Sequence, residues 1–251
     1  MAPETLKRSI RTLLPRPARA WVSRKRFLTC HPPVGWVRFG SLRRMRPISA
    51  AWGHDRGRPI NRHYIDSFVA DHAADIRGRV LEVADDRYTA AFGGSRVTQS
   101  DILHATPGNP RATFVGDLAT ADHLPGDAFD CVILTQVMQY IRDGAAAARH
   151  LHRILKPGGV VLATLPGLEK VSAPDDERWG DYWRFTATSA GALFGEAFGA
   201  ANVKTRTYGN VFAAVASLSG LSQEDVRPSE LDVVDEDFPV IIAVRAQKAA
   251  N

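Results

Sequence analysis

The stretch FDCVILTQVMQYIRDGAAAARHLHRILKPGGVVLATLPG, residues 129 to 167, decides the fold because its periodicity changes twice. Cys131 to Leu134 is a short continuous apolar run, as a strand covered on both faces requires, and Val160 to Leu165 is a second. Between them the spacing predicts a helix. Asp143 is placed to cap it, and Ala145, Ala148, Leu151, His152 and Leu155 recur at helical intervals. Pro157-Gly158-Gly159 is expected to end the helix and turn the chain. Two buried strands joined by one helix are parallel, and the right-handed crossover sets the helix on one face of the sheet. The expected architecture is therefore α/β, with ligands beyond the carboxyl ends of the strands.

The same residues resemble the late part of a class I S-adenosylmethionine-dependent methyltransferase of the type 11 kind. Arg153, Leu155, Lys156, Pro157, Gly158 and Gly159 coincide with that family's helix-to-strand turn, Phe129-Asp130 precedes the strand, and Thr135-Gln136 follows it. The likeness extends less sharply over residues 60 to 247. It implies a Rossmann-like, doubly wound, mostly parallel sheet of seven strands with an antiparallel closing strand, and S-adenosylmethionine as cofactor.

The first strand is expected at Arg79 to Val83. In the family it ends in an acidic residue and a GxGxG loop, whose glycines let the backbone approach the cofactor. Glu82 holds the acidic position here, but the loop is degenerate: Ala84-Asp85-Asp86-Arg87-Tyr88-Thr89 follows, and glycines come only at Gly93 and Gly94. Ala84 and Asp85 thus stand at the implied cofactor site. A second strand is expected at Arg96 to Ser100, ending at Asp101. An acid about 20 positions beyond the first loop is where the resemblance puts the ribose, since a carboxylate accepts from both hydroxyls. The other reading of Asp101 is a cap for the next turn. After the third strand, Thr113 to Val115, the triplet Gly116-Asp117-Leu118 resembles the adenine-binding position. There Asp117 would accept from the exocyclic amine and Leu118 would pack on the ring. Thr135, Gln136, Gln139 and Tyr140, beyond the fourth strand, would face the cofactor's methionine end or the acceptor.

Before the first strand, Trp52 to Phe68 opens on a glycine-rich turn and passes into a helix at Ile60, with Tyr64, Ile65, Phe68 and Val69 as its apolar stripe. In proteins similar to this one that segment lies across the cofactor cleft, which makes Arg56, Arg58 and Tyr64 candidates for contacts with cofactor or acceptor. A surface turn and a packing helix are the plainer alternative. After Gly167, PDDERWGDYWRFT (Pro174 to Thr186) places Trp179, Tyr182, Trp183 and Arg184 in a lid or acceptor segment over residues 168 to 186, or in a loop plugging the edge of the core. A helix from Ser189 to Phe198, strands at Asn202 to Tyr208 and Pro239 to Ala246, and a helical insertion over 211 to 235 complete the domain, residues 51 to 251.

The chain of 251 residues suits one large α/β domain with an appendage. Its 45% apolar and 24% charged composition is ordinary, and no apolar run is long enough to cross a bilayer. The two cysteines form no CxxC pair, His150 and His152 lack ligand spacing, and no metal site is read. A cytoplasmic setting, or one peripheral to a membrane, is expected. The net charge of +5 hides an asymmetry: residues 1 to 50 hold twelve Lys or Arg against Glu4 alone, leaving the rest at −6. Such a basic arm, with Leu6, Ile10, Leu13 and Leu14 at helical spacing, suits contact with an anionic surface. A solvated tail is the alternative.

The function expected from the resemblance is methyl transfer to a small-molecule or glycosylated acceptor in polysaccharide or secondary-metabolite biosynthesis. The rivals are a repurposed fold that no longer methylates, motivated by the missing glycines, and an RNA methyltransferase, motivated by the basic arm. No nucleophile-base constellation names a catalytic residue.

Overall fold

The computed structural model of the chain describes Pro32 and residues 37–250, which divide into two compact units, Met1–Met45 and Arg46–Asn251. The arm's amphipathic stretch around Leu6 to Leu14 lies outside the described residues. In the first unit the described regular element is one 3-10 turn, Gly40–Leu42. Residues 46 to 50, counted with the arm from sequence, belong to the second unit, where Ile48 N donates to Ser219 O at 2.8 Å.

The second unit is a doubly wound α/β domain. Its strands are β1 (Gly78–Val83), β2 (Val97–His104), β3 (Phe114–Val115), β4 (Phe129–Thr135), β5 (Leu155–Pro166), β6 (Val203–Tyr208) and β7 (Ile241–Gln247). They form one sheet in the order β3-β2-β1-β4-β5-β7-β6. β1 to β5 pair in parallel, while β7 runs antiparallel to both β5 and β6. The helices are α1 (Ile60–Asp71), α2 (Gly144–Ile154), α3 (Ala173–Trp179), α4 (Ala187–Phe198), α5 (Val211–Leu218) and α6 (Pro228–Leu231). The continuous apolar runs follow from burial on both faces. Val132, Leu134, Val161 and Ala163 meet Leu151 of α2 and Phe194 of α4 on one side. Cys131, Ile133, Val160 and Leu162 meet Tyr64 and Phe68 of α1 and Ala213 of α5 on the other. None of the helices in the described residues is long and apolar enough to cross a membrane.

Two local expectations are corrected. Asp143 does cap α2, accepting from Ala146 N at 2.8 Å, but α2 stops at Ile154 and β5 begins at Leu155, ahead of the Pro-Gly-Gly. Pro157 forces Lys156 into extended backbone, so the chain is already a strand there. Gly158 and Gly159 form an irregularity inside β5: Gly158 has φ +80°, and a Cβ on Gly159 would lie 3.0 Å from Phe129 O. β2 in turn runs four residues past the expected Ser100 to His104, because Ile102 and Leu103 continue the buried run and pair with Glu82 and Val83 of β1. Asp101 therefore lies inside the strand, opposite Leu81.

Candidate functional site

The carboxyl ends of β1, β2 and β4, with the residues after β3, surround a cleft of about 510 Å³. That is within the roughly 300–1,000 Å³ of small-molecule sites. β1 contributes Val83 and then Ala84; β2 contributes Leu103 and His104; Gly116, Asp117 and Leu118 follow β3; Thr135, Gln136, Tyr140 and Ile141 follow β4. Arg178 and Trp179 reach the cleft from α3.

At the β3 end, Asp117 caps the turn Leu118–His123 by accepting from Ala119 N at 2.8 Å through Oδ1. Its other oxygen makes no hydrogen bond among the described residues and stays open to a donor. Leu118 and Leu103 are buried and form an apolar wall beside it. His104 Nδ1 lies 2.7 Å from Thr106 O and 3.4 Å from Thr106 N, which holds the ring against the turn after β2. The longer β2 puts His104, not Asp101, at the strand end. The signal for it was the run Ile102-Leu103, which says that the strand continues.

The loop after β1 is closed by its own contacts. Ala84 takes φ +78°, a left-handed conformation that glycine adopts without strain and a residue with a Cβ does not. Its N–H donates to Leu103 O at 2.9 Å, and its carbonyl accepts from Asn109 Nδ2 at 3.1 Å. Asp85 is held by Arg87 at 3.1 Å, and Asp86 is bound by Arg111, so both carboxylates are paired and neither lines the cleft. Glu82 is 2% exposed and accepts from Tyr88 N at 3.0 Å and from Thr89 N and Thr89 Oγ1 at 2.8 Å. It anchors the turn behind the cleft wall instead of facing a ligand. Burial outweighs those three donors and pushes its carboxyl up to about 7. Asp101 is likewise withdrawn: at 2% exposed, it accepts from Arg79 Nε at 2.7 Å. Of the cofactor candidates, Ala84, Asp117, Leu118, Thr135 and Gln136 come together at the cleft, while Glu82, Asp85 and Asp101 stand behind or beside it.

The acceptor candidates separate too. Tyr140 lines the cleft, its hydroxyl 3.3 Å from Asp175 Oδ2, and burial together with that carboxylate pushes the phenol up to about 12. It is a proton donor at neutral pH and not a base. Tyr64 is a core residue, 2% exposed and packed on Tyr208. Arg56 donates through Nε to Asp225 at 2.9 Å, away from the cleft lining. Arg184 ties Asp181 (2.6 Å) and the carbonyl of Glu169 (3.1 Å), stapling the segment after β5. Trp183 donates to Ile141 O at 3.0 Å and borders a separate hollow of about 330 Å³, and Tyr182 is 48% exposed. The indole that enters the cleft is Trp179, the last residue of α3.

In open, doubly wound α/β domains the crevice at the carboxyl ends of the parallel strands is where ligands bind, and the cleft of this chain lies there. Residues 58–196 match the model of a methyltransferase domain, and the chain belongs to the class I S-adenosylmethionine-dependent methyltransferase family. A Mycolicibacterium smegmatis protein described as a probable S-adenosylmethionine-dependent methyltransferase is 32% identical over 101 residues, which make up 40% of this chain and 35% of that one. The chain thus spans about a third of that relative's length. Among solved structures, the YcgJ protein of Bacillus subtilis is similar with a TM-score of 0.47 at 14% identity, over 75% of this chain and 100% of that one. A Haemonchus contortus phosphoethanolamine N-methyltransferase 2, in complex with phosphomonomethylethanolamine and S-adenosylhomocysteine, is similar with a TM-score of 0.47 at 15% identity, over 76% of this chain and 57% of that one.

The cleft fits the family's cofactor. The open oxygen of Asp117 can accept from an adenine amine, Leu103 and Leu118 offer the ring an apolar wall, and the acids of the altered loop are neutralised by Arg87 and Arg111.

Proposed function

We propose that the chain methylates a small-molecule or sugar-containing acceptor, of the kind made in polysaccharide or secondary-metabolite pathways, with S-adenosylmethionine as methyl donor. One observation carries the reading: in a chain of this family, the β3 end keeps a carboxylate oxygen of Asp117 open beside the buried Leu103 and Leu118, at the mouth of the cleft. When bound, S-adenosylmethionine supplies an electrophilic methyl on a sulfonium. Asp117, Leu118 and Leu103 would hold its adenine, with Ala84 and Thr135 along the remainder of the cleft.

The chain's own share is alignment and exclusion of water. Trp179 and Arg178 cover the cleft from α3, and Tyr140 presents a phenol that stays protonated. A base is needed only for an acceptor that must lose a proton, and Tyr140 does not serve as one.

A second reading, a fold that binds without methylating, is favoured by the loop after β1, where both backbone groups of Ala84 are taken by the protein itself. Calorimetric titration of the full chain with S-adenosylmethionine and S-adenosylhomocysteine separates the two. Saturable binding weakened by Asp117→Ala supports the methyltransferase; a folded protein that binds neither at millimolar concentration supports the second reading.

A further inference from the structure

Residues 37 to 45, the continuous described stretch of the first unit, carry four apolar side chains and three arginines and no acid. Val37 is 47% exposed, Phe39 is 57% exposed and Met45 is fully exposed. With Leu42, Arg43 and Arg44, these three side chains surround one open hollow of about 660 Å³, so the apolar and cationic groups share a single surface. The backbone shapes it. Leu42 N donates to Phe39 O at 3.0 Å, Arg43 N to Gly40 O at 3.2 Å and Arg44 N to Leu42 O at 2.9 Å. No ion pair among the described residues involves Arg38, Arg43 or Arg44. The chain offers none nearby in sequence either, since no Asp or Glu occurs between Glu4 and Asp55.

An exposed apolar patch marks a contact surface, and this one asks two things of its partner at the same depth: an apolar phase and negative charge. A bilayer carrying anionic lipid supplies both. Apolar side chains reach the boundary between headgroups and acyl chains, while arginines keep their guanidinium groups at the level of the phosphates, which they bind through paired N–H donors. RNA supplies the charge but no apolar phase. It is gripped by aromatic stacking, for which Phe39 is suited and Val37, Leu42 and Met45 are not. A second copy of the chain, meeting this surface with its own, would set the same arginines against one another. We infer that residues 37 to 45 are a docking element for a membrane surface rich in anionic lipid, with Val37, Phe39 and Met45 entering the interface and Arg43 and Arg44 on the phosphates. No helix among the described residues can cross a bilayer, so the contact belongs to the interface. It is independent of the methyltransferase reading.

The test uses the full chain and, as probes, sedimenting vesicles of phosphatidylcholine alone or of phosphatidylcholine and phosphatidylserine at about 7:3, with single-stranded and duplex RNA followed by fluorescence anisotropy. Two double variants separate the forces: Phe39→Ser with Met45→Ser, and Arg43→Gln with Arg44→Gln. Because backbone groups hold the turn and the side chains are exposed, both should keep the wild-type melting temperature. The expected result is sedimentation with the mixed vesicles and much less with phosphatidylcholine alone. The arginine pair should bind the mixed vesicles about 25-fold more weakly, roughly fivefold per charge. The apolar pair should bind them about tenfold more weakly and leave any RNA signal unchanged. No sedimentation of the wild type overturns the inference. So does a loss in the arginine pair alone, which would be the plain attraction of cations to any polyanion. RNA binding that both double variants weaken, with vesicle binding unaffected, would make this a nucleic-acid surface. Vesicle binding that neither variant weakens would place the contact elsewhere in the chain. A self-association, seen by sedimentation velocity without vesicles and lost in the apolar pair, would make the patch an interface between copies.

Discussion

Arg79 Nε lies 2.7 Å from Asp101 Oδ2 in the interior of the β1–β2 pair, so the acid that the family resemblance assigned to a ribose is bound to a neighbouring strand. The guanidinium also stacks over Phe129, 4.8 Å from its ring centroid. With Asp101 buried and Arg79 three-quarters so, removing one partner strands the other charge. Asp101→Ala should cost on the order of 3 kcal/mol of stability. In the folded fraction it should leave affinity for S-adenosylhomocysteine within about twofold. Urea denaturation and calorimetry below the unfolding transition check both halves, and a selective loss of affinity would return Asp101 to the cofactor site.

Asp117 behaves in the opposite way because its two oxygens have separate tasks. Oδ1 caps the turn after β3, and a cap is worth about 1 kcal/mol. The open oxygen is the one available to adenine. Asp117→Ala should therefore lose about 1 kcal/mol of stability but roughly 10- to 100-fold in affinity, the range for a hydrogen bond to a charged acceptor. Asp117→Ser, which can still cap, should recover the stability and not the affinity. Equal affinity in all three proteins would show that adenine lies elsewhere.

The contrast between these two acids shows what the sequence made legible. The strand-helix-strand of residues 129 to 167 was readable because burial on both faces leaves an unbroken apolar run, and β4 and β5 lie where that run stands. The order of acidic residues was readable as well. Which of them face a ligand was not, because that depends on where a strand stops. Ending β2 at Ser100 put Asp101 at the sheet edge, whereas its real end at His104 buries Asp101 by three residues. Of the aromatics in the stretch before Thr186, α3 presents Trp179 to the cleft, while Tyr182 and Trp183 lie beyond its last turn. Composition could not distinguish those aromatics; only the helix end does.

Glu82 makes stability depend on pH with a particular sign. Its carboxyl is raised from 4.5 to about 7, so between those values the folded chain keeps a proton that the unfolded chain has released. The stabilisation is fully present below about pH 4.5 and is lost as pH rises through about 7. From pH 5 to pH 8 the wild type should lose roughly 2–3 kcal/mol relative to Glu82→Gln, which has no proton to release. Urea titrations of both proteins at the two pH values measure the difference directly. Parallel pH profiles would mean that Glu82 is ionised throughout and that its bonds to Tyr88 and Thr89 outweigh its burial.

Ala84 is where the degenerate loop and the fold meet most directly. Its φ of +78° keeps the turn that a glycine would make without strain, at a cost of about 1–2 kcal/mol for a residue with a Cβ. Glycine would remove that strain but would also make the unfolded chain freer, by roughly 0.5–1 kcal/mol. Ala84→Gly should therefore stabilise the domain by about 0.5–1 kcal/mol, visible as a higher melting temperature. Because both backbone groups of Ala84 are already bonded to Leu103 and Asn109, the turn should keep its shape, and the missing methyl opens the cleft wall. Affinity for S-adenosylhomocysteine should hold or improve. A lower melting temperature would show that the left-handed turn is not strained. A higher one with affinity lost would show that the methyl of Ala84 itself packs against the cofactor, a contact that glycine loops in this family cannot make.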